Sequence, residues 1–275
     1  MDVSRVSARS ILTPSGLPGA DYVINPFIGC SHRCIYCYAC FMTRFAGQNR
    51  PWGSFVDIKE NAPQLVPVAS NRYRGKRVFL SSVTDPYLPQ EREATVTRHV
   101  LERLVALEPR LGIQTKSDLI LRDVDVLSRF RDCEAGLTIT TLDDRVRQEI
   151  EPGAAPIARR IAALAELKAK GLRTYVFVGP ILPGVTDWRR IVEETAPFAD
   201  FWYFENLNVR GQIRSRIRAW LLARHPELLG LYGHAYTPGS PYWDEMAIEI
   251  RDFCAKRSLE ARVVFHHGVV TNENE

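Results

Sequence analysis

Four of the six cysteines, Cys30, Cys34, Cys37 and Cys40, fall within eleven residues. Three of them form the spacing C-x3-C-x2-C in Gly29-Cys30-Ser31-His32-Arg33-Cys34-Ile35-Tyr36-Cys37-Tyr38. Disulfide frameworks are spread across small secreted chains, so thiols this crowded read as metal ligands. A 4Fe–4S cluster normally takes four cysteines. A loop that offers three leaves one iron open to bind another ligand and do chemistry. A structural zinc site is the bland alternative, closed by Cys40 or His32. Zinc more often uses paired C-x2-C knuckles, and there is no second pair here. Cys40 also reads as a plain buried thiol.

Such a loop needs a scaffold. Apolar or β-branched runs occur at Tyr22–Ile28, Val78–Val83, Leu111–Thr115, Leu137–Thr140, Thr174–Val178, Phe201–Phe204 and Arg262–Phe265. Amphipathic segments lie between them. Val96, Val100, Leu104 and Leu107 share a face within Ala94–Leu107. Pro156–Lys170 opens on a proline, carries Ile157, Ile161 and Leu164, and stops at Gly171. Thr186–Ala196, Gln212–Arg224 and Tyr242–Lys256 complete the predicted helices. Alternation of this kind implies right-handed βαβ units and a parallel sheet. Six or seven units suit a partial barrel of the triosephosphate-isomerase type, (β/α)6, in a single α/β domain. A doubly wound sheet is the competing layout, weakened by the lack of G-x-G-x-x-G after the first run. The expected organisation is an N-terminal extension at 1–20, the partial barrel at 21–210, and a C-terminal extension at 211–275 that closes it. Function should gather where strands end, because both layouts place their sites there.

Composition bounds the rest. The chain has 275 residues, 45% hydrophobic and 25% charged, which suits a folded domain. No stretch approaches the ~18 apolar residues of a membrane helix, and the N-terminus has no apolar signal core. A cytoplasmic protein with no membrane partner is expected. The formal charge of +4 permits a nucleic-acid partner without arguing for one. Thirty of the 36 cationic residues are arginine, for which a coding bias is sufficient explanation.

Cys30-x3-Cys34-x2-Cys37, with aromatic Tyr36 before the last cysteine, resembles the radical S-adenosylmethionine superfamily. The longer string NPFIGCSHRCIYCYA resembles its spore photoproduct lyase-like branch. The likeness continues through SSVTDPYLPQERE, TRHVLERL, QTKSDLILRD, TITTLDDRVRQEIEP, ARRIAALAELKAKG and VFVGPILPGVTD, covering roughly Ile24 to Trp188. The resemblance implies a partial barrel with a 4Fe–4S cluster on Cys30, Cys34 and Cys37. S-adenosylmethionine would chelate the open iron, and an external one-electron donor of flavodoxin or ferredoxin type would reduce the cluster. Cleavage would give methionine and a 5′-deoxyadenosyl radical that takes hydrogen from a substrate. The cofactors carry that step while the protein orients them and shields the radical.

The resemblance also assigns residues. Tyr36 is similar to the aromatic that packs near the adenine, and Lys116 resembles the lysine that holds the cofactor carboxylate. Ser82, Thr84, Thr138 and Gly179 occupy places that touch or line the cofactor. Spore photoproduct lyase carries a hydrogen-donating cysteine where Ser82 stands here, so thymine-dimer repair by that route is not expected. A small molecule or peptide is the preferred substrate, with nucleic acid as the alternative. Candidate substrate contacts are Tyr38, Glu205, Asn206 and Asn208, the last three in Phe204-Glu205-Asn206-Leu207-Asn208, together with His266 after the final strand. Without the thiol, hydrogen could return from 5′-deoxyadenosine, from Cys254 or from Cys40, or the radical could be oxidised. Arg210, Arg214 and Arg218 recur at four-residue steps and could bind phosphates or be a solvated face.

Overall fold

The computed structural model describes residues 1–45 and 50–265. Eleven strands form among these: β1 (Asp2–Val6), β2 (Thr13–Pro14), β3 (Tyr22–Ile24), β4 (Phe27–Gly29), β5 (Phe55–Lys59), β6 (Arg77–Leu80), β7 (Arg110–Thr115), β8 (Cys133–Thr138), β9 (Arg173–Ile181), β10 (Phe201–Asn206) and β11 (Glu260–Val263). The main sheet has the order β11-β10-β9-β8-β7-β6-β3-β2. Every neighbouring pair from β3 to β11 is parallel, and β2 alone is antiparallel. This is the α/β partial barrel expected from the alternation of runs. β11 comes from the C-terminal segment, which therefore supplies an edge strand as well as helices. A second sheet, β1-β5-β4, stands beside it.

Nine α-helices are described: α1 (Glu91–Ala94), α2 (Val96–Leu104), α3 (Val124–Leu127), α4 (Asp144–Ile150), α5 (Ile157–Ala169), α6 (Trp188–Thr195), α7 (Gln212–Arg224), α8 (Leu229–Ala235) and α9 (Tyr242–Ala255). Asp143 caps α4 by accepting from the Arg145 amide at 2.8 Å, and Asp187 caps α6 through Arg190 at 3.1 Å. Side chains of a strand alternate between two faces. One face, with Leu111, Ile113, Ala135, Leu137, Val176 and Val178, joins Val100, Leu104, Leu164 and Ile191 of the helices in one apolar core. The other face lines the barrel and carries Gln114, Glu134, Gly136, Thr138, Tyr175, Phe177 and Tyr203.

The amino ends of the strands are plugged by charge stacked on aromatics. Glu134 pairs with Arg173 at 2.9 Å, and Glu260 pairs with Arg262 at 2.5 Å and Arg173 at 3.4 Å. Both guanidinium groups lie over the Phe201 ring, 3.9 Å away for Arg262 and 4.9 Å for Arg173. The opposite, carboxyl-end mouth is left for chemistry.

Two sequence expectations need correction. The run Tyr22–Ile28 is not one strand: Asn25-Pro26 divides it into β3 and β4, which belong to different sheets. Proline lacks the amide a continuing ladder needs. β8 begins at Cys133 rather than Leu137, because its interior face tolerates Glu134 and Gly136.

Candidate active site

The cysteine loop leaves β4 and is clamped from two sides. On one side Thr84 Oγ1 donates to the Gly29 carbonyl at 2.7 Å, and Ser31 Oγ donates to Gln90 Oε1 at 2.9 Å. On the other, the amide of Ile35 donates to the Ile150 carbonyl at 3.0 Å, and the amide of Gly153 donates to the His32 carbonyl at 3.0 Å. A Cβ at Gly153 would stand 2.0 Å from the Ser31 carbonyl oxygen, so only glycine lets this turn approach so closely. Arg33 is the one exposed residue between Cys30 and Cys37.

Behind the loop lies a buried polar network. The Tyr36 hydroxyl donates to Glu151 Oε1, and Thr140 Oγ1 donates to the same oxygen at 2.9 Å. Glu151 forms an ion pair with Arg160 at 2.6 Å, both side chains fully buried. Arg160 also donates to the carbonyls of Thr138 at 3.0 Å and Ala155 at 2.8 Å. Burial pushes the Glu151 carboxyl up, but Arg160 and Lys116 outweigh it and hold the group at about 2. It is therefore ionised at neutral pH.

Lys116 follows β7 directly, with its ammonium 5.7 Å from the Tyr36 ring centroid. Burial disfavours its charge, yet Cys34 and Glu151 more than offset this and raise its pKa. Among the described residues it has no carboxylate at ion-pair distance, so an incoming carboxylate would complete it. Asp85 orients its backbone: Oδ2 accepts from the Lys116 amide at 2.8 Å, while Oδ1 accepts from Thr115 Oγ1 at 2.6 Å. Asp85 also faces His32 Nδ1 at 3.4 Å. Burial lowers the His32 pKa, against the opposing pull of Asp85.

Cys30 and Cys34 are buried and Cys37 is half-buried. Burial is the first cause that raises all three thiols, and Cys34 reaches about 12. Cys34 and Cys37 raise Cys30 as neighbouring charges, and Cys37 raises Cys34. Among the described residues no three of His, Cys, Asp and Glu converge closely enough to hold a single ion. A cuboidal cluster does not require that convergence, because each thiolate ligates a different iron. The three-thiol loop with a carboxylate-seeking ammonium beside it fits a cluster and an amino-acid-bearing cofactor.

The other sequence candidates divide. Tyr38 is exposed, stacks on Phe41 with centroids 6.5 Å apart, and donates its hydroxyl to the Ser82 carbonyl. Ser82 Oγ accepts from Asn25 Nδ2 at 3.2 Å, which ties the ends of β3 and β6 together. Thr138 Oγ1 accepts from Gln114 Nε2 at 3.3 Å. At Gly179 a Cβ would meet the Phe177 ring at 2.1 Å. Glu205 is half-buried on the interior face, and its charge reaches Tyr38.

Three candidates have other surroundings. Asn206 is 2% exposed at the carboxyl end of β10, where the register with β9 shifts after Phe204. Asn208 caps a turn by accepting from the Arg210 amide at 3.0 Å. Cys254 is buried at the end of α9, its carbonyl accepting from the Leu259 amide just before β11 begins. That is the amino end of the sheet, far from the cysteine loop, because each helix returns the chain to where the next parallel strand starts. His266 lies outside the described residues. Sequence reasoning missed Asp85, Gln90, Thr140, Glu151, Gly153 and Arg160. For all but Gly153, only their presence within the SSVTDPYLPQERE, TITTLDDRVRQEIEP and ARRIAALAELKAKG blocks gave a signal.

A second apolar cluster covers the loop from outside. Cys34 and Tyr36 pack there with Ile150, Leu182, Leu207 and with Ile213, Ile217 and Trp220 of α7. The α7 helix thus shares one apolar cluster with the cysteine loop.

A partial barrel with a three-cysteine loop and a lysine just after β7 points to one class of enzyme. Residues 24–194 match the Radical SAM superfamily. The chain belongs to that family and is an enzyme of it. It is 37% identical over 251 residues to an uncharacterized protein of Methanocaldococcus jannaschii, covering 91% of this chain and 94% of that one. A radical SAM Nalpha-GlyT isomerase of Pseudomonas phage M6 is 27% identical over 177 residues, 62% of this chain and 36% of the phage protein. The solved structure of spore photoproduct lyase complexed with dinucleoside spore photoproduct superposes with a TM-score of 0.69 at 17% identity, over 96% of this chain and 82% of that one. That likeness is one of fold. No helix among the described residues is long and apolar enough to cross a membrane.

Proposed function

We propose that the chain holds a 4Fe–4S cluster on Cys30, Cys34 and Cys37 and binds S-adenosylmethionine with its carboxylate on Lys116. The observation that carries this reading is the Lys116 ammonium, placed over Tyr36 and near Cys34, with no carboxylate at ion-pair distance among the described residues. When bound, the reduced cluster and S-adenosylmethionine supply a 5′-deoxyadenosyl radical for hydrogen abstraction. The protein's part is positional. Glu151 and Thr140 fix the Tyr36 ring, Asp85 fixes the Lys116 backbone, and α7 keeps water from the loop. Gly179 offers backbone rather than a side chain to the pocket wall.

The substrate is proposed to be a small molecule or peptide segment that enters between Gln114, Thr138, Phe177 and Glu205. The serine at position 82 and the modest net charge support this over a nucleic acid. One observation favours the second reading: Tyr38 and Phe41 are exposed and stacked at the mouth, where a base could stack on them. Of the two thiols considered for hydrogen return, Cys40 is the one beside the cluster loop. Anaerobic incubation with reductant and deuterated candidate substrates tests the reading, through label in 5′-deoxyadenosine. Label from a peptide or metabolite supports it; label from an oligonucleotide alone would favour the second.

A further inference from the structure

The arginines singled out in sequence have a location that their spacing did not reveal. Arg210, Arg214 and Arg218 are exposed at the start of and along α7, the helix whose Ile213 and Ile217 pack in the cluster that contains Cys34 and Tyr36. The helix contains no Asp or Glu. None of the three arginines has an ion-pair partner among the described residues. Some other exposed arginines are ion-paired: Arg189 with Glu249 at 2.7 Å, Arg190 with Glu194 at 2.9 Å, and Arg224, at the far end of α7, with Glu149 at 3.5 Å. Arg214 and Arg218 are one four-residue step, about 6 Å, apart along α7, Arg210 precedes the helix before its Gly211 cap, and the helix is roughly 10–12 Å thick.

We infer that this stripe is the docking surface for an acidic one-electron carrier of the flavodoxin or ferredoxin class. The inference rests on the cluster reading above. A carrier seated there lies on the outer side of the helix whose inner residues share an apolar cluster with Cys34 and Tyr36. A nucleic acid would gain nothing from lying on α7, whereas a redox partner needs nearness to the cluster alone. Complementary charge steers such short-lived encounters and makes them salt-sensitive. The transfer itself balances simply: the carrier is oxidised by one electron, the cluster is reduced by one, and no bond forms or breaks.

The test compares wild-type holoenzyme with R210E/R214E/R218E, and with R210Q/R214Q/R218Q as the milder variant. Reduced flavodoxin is the probe, with its affinity and its rate of cluster reduction measured at low and high salt. Expected are unchanged iron content and unchanged reduction by dithionite, with flavodoxin affinity weakened roughly tenfold or more and its salt dependence flattened. Unaltered flavodoxin affinity and rate in both variants would overturn the inference while leaving the cluster reading intact. So would loss of single-stranded DNA binding with flavodoxin binding retained, which would reassign the stripe to nucleic acid. Failure of wild-type protein to take up iron would instead remove the cluster reading on which the inference stands.

Discussion

The hydroxyl of Tyr36, inside the cysteine motif, donates to the carboxylate of Glu151, which lies 115 residues further along the chain. This bond joins the cluster loop to the turn after α4, and Arg160 of α5 completes it from the other side. The aromatic position of the motif is thereby held by its edge, leaving its ring face to Lys116.

Breaking the Glu151–Arg160 pair should cost roughly 3–5 kcal/mol, because the remaining charge is buried without a partner. Glu151→Gln should unfold at lower temperature and load iron poorly. The pH dependence follows from the depressed carboxyl. Its contribution is complete above about 4.5 and is lost as pH falls from there towards about 2. Thermal unfolding across that window should be steeper for wild type than for Glu151→Gln. Parallel curves would remove Glu151 from the account.

Lys116→Ala should weaken S-adenosylmethionine binding by roughly 1.5–3 kcal/mol, the worth of a charge-assisted bond. Iron content should remain intact. Equilibrium binding to cluster-loaded protein measures this, and equal affinities would contradict the assigned role.

Gly153→Ala places a methyl group against the Ser31 carbonyl, where a Cβ would come within 2.0 Å. The turn and the cysteine loop must separate, at about 1–3 kcal/mol for an overpacked site. Iron uptake and melting temperature should fall together. A variant with wild-type values would show that the turn does not brace the loop.

Cys254→Ala should leave turnover unaltered, since the thiol sits at the amino end of the sheet. The loss of one buried sulfur should lower stability modestly. Formation of 5′-deoxyadenosine without product in this variant would return Cys254 to the list of hydrogen donors.

Much of this was legible in the chain and some was not, for physical reasons. Gln212–Arg224 is helical over the predicted span because its apolar residues and lack of breakers act locally. The parallel order followed from alternation of runs. The split at Asn25-Pro26 was hidden because β3 and β4 are both apolar, and only pairing distinguishes them. β5 was missed, since its Asp57 interrupts the apolar pattern; Arg50 compensates it at 2.5 Å, a partner no local pattern reveals. The same reason hid the site's supports. Cysteine spacing is a local property of the sequence, whereas Glu151, Arg160 and Asp85 matter only through residues distant in the chain. Glu205, Asn206 and Asn208 are one group by sequence, yet they differ in burial and the Asn208 side chain accepts from the Arg210 amide, neither of which spacing reveals.

The central claim is that the three cysteines carry a cluster that acts on S-adenosylmethionine. Anaerobically reconstituted wild-type protein, reduced with dithionite and supplied with S-adenosylmethionine, is analysed for iron, sulfide and 5′-deoxyadenosine. The account predicts about four irons per chain and formation of 5′-deoxyadenosine, both abolished in Cys34→Ala and both kept in Cys133→Ala. Wild-type protein that binds zinc in place of iron, or a Cys34→Ala variant that still loads a full cluster, would contradict it.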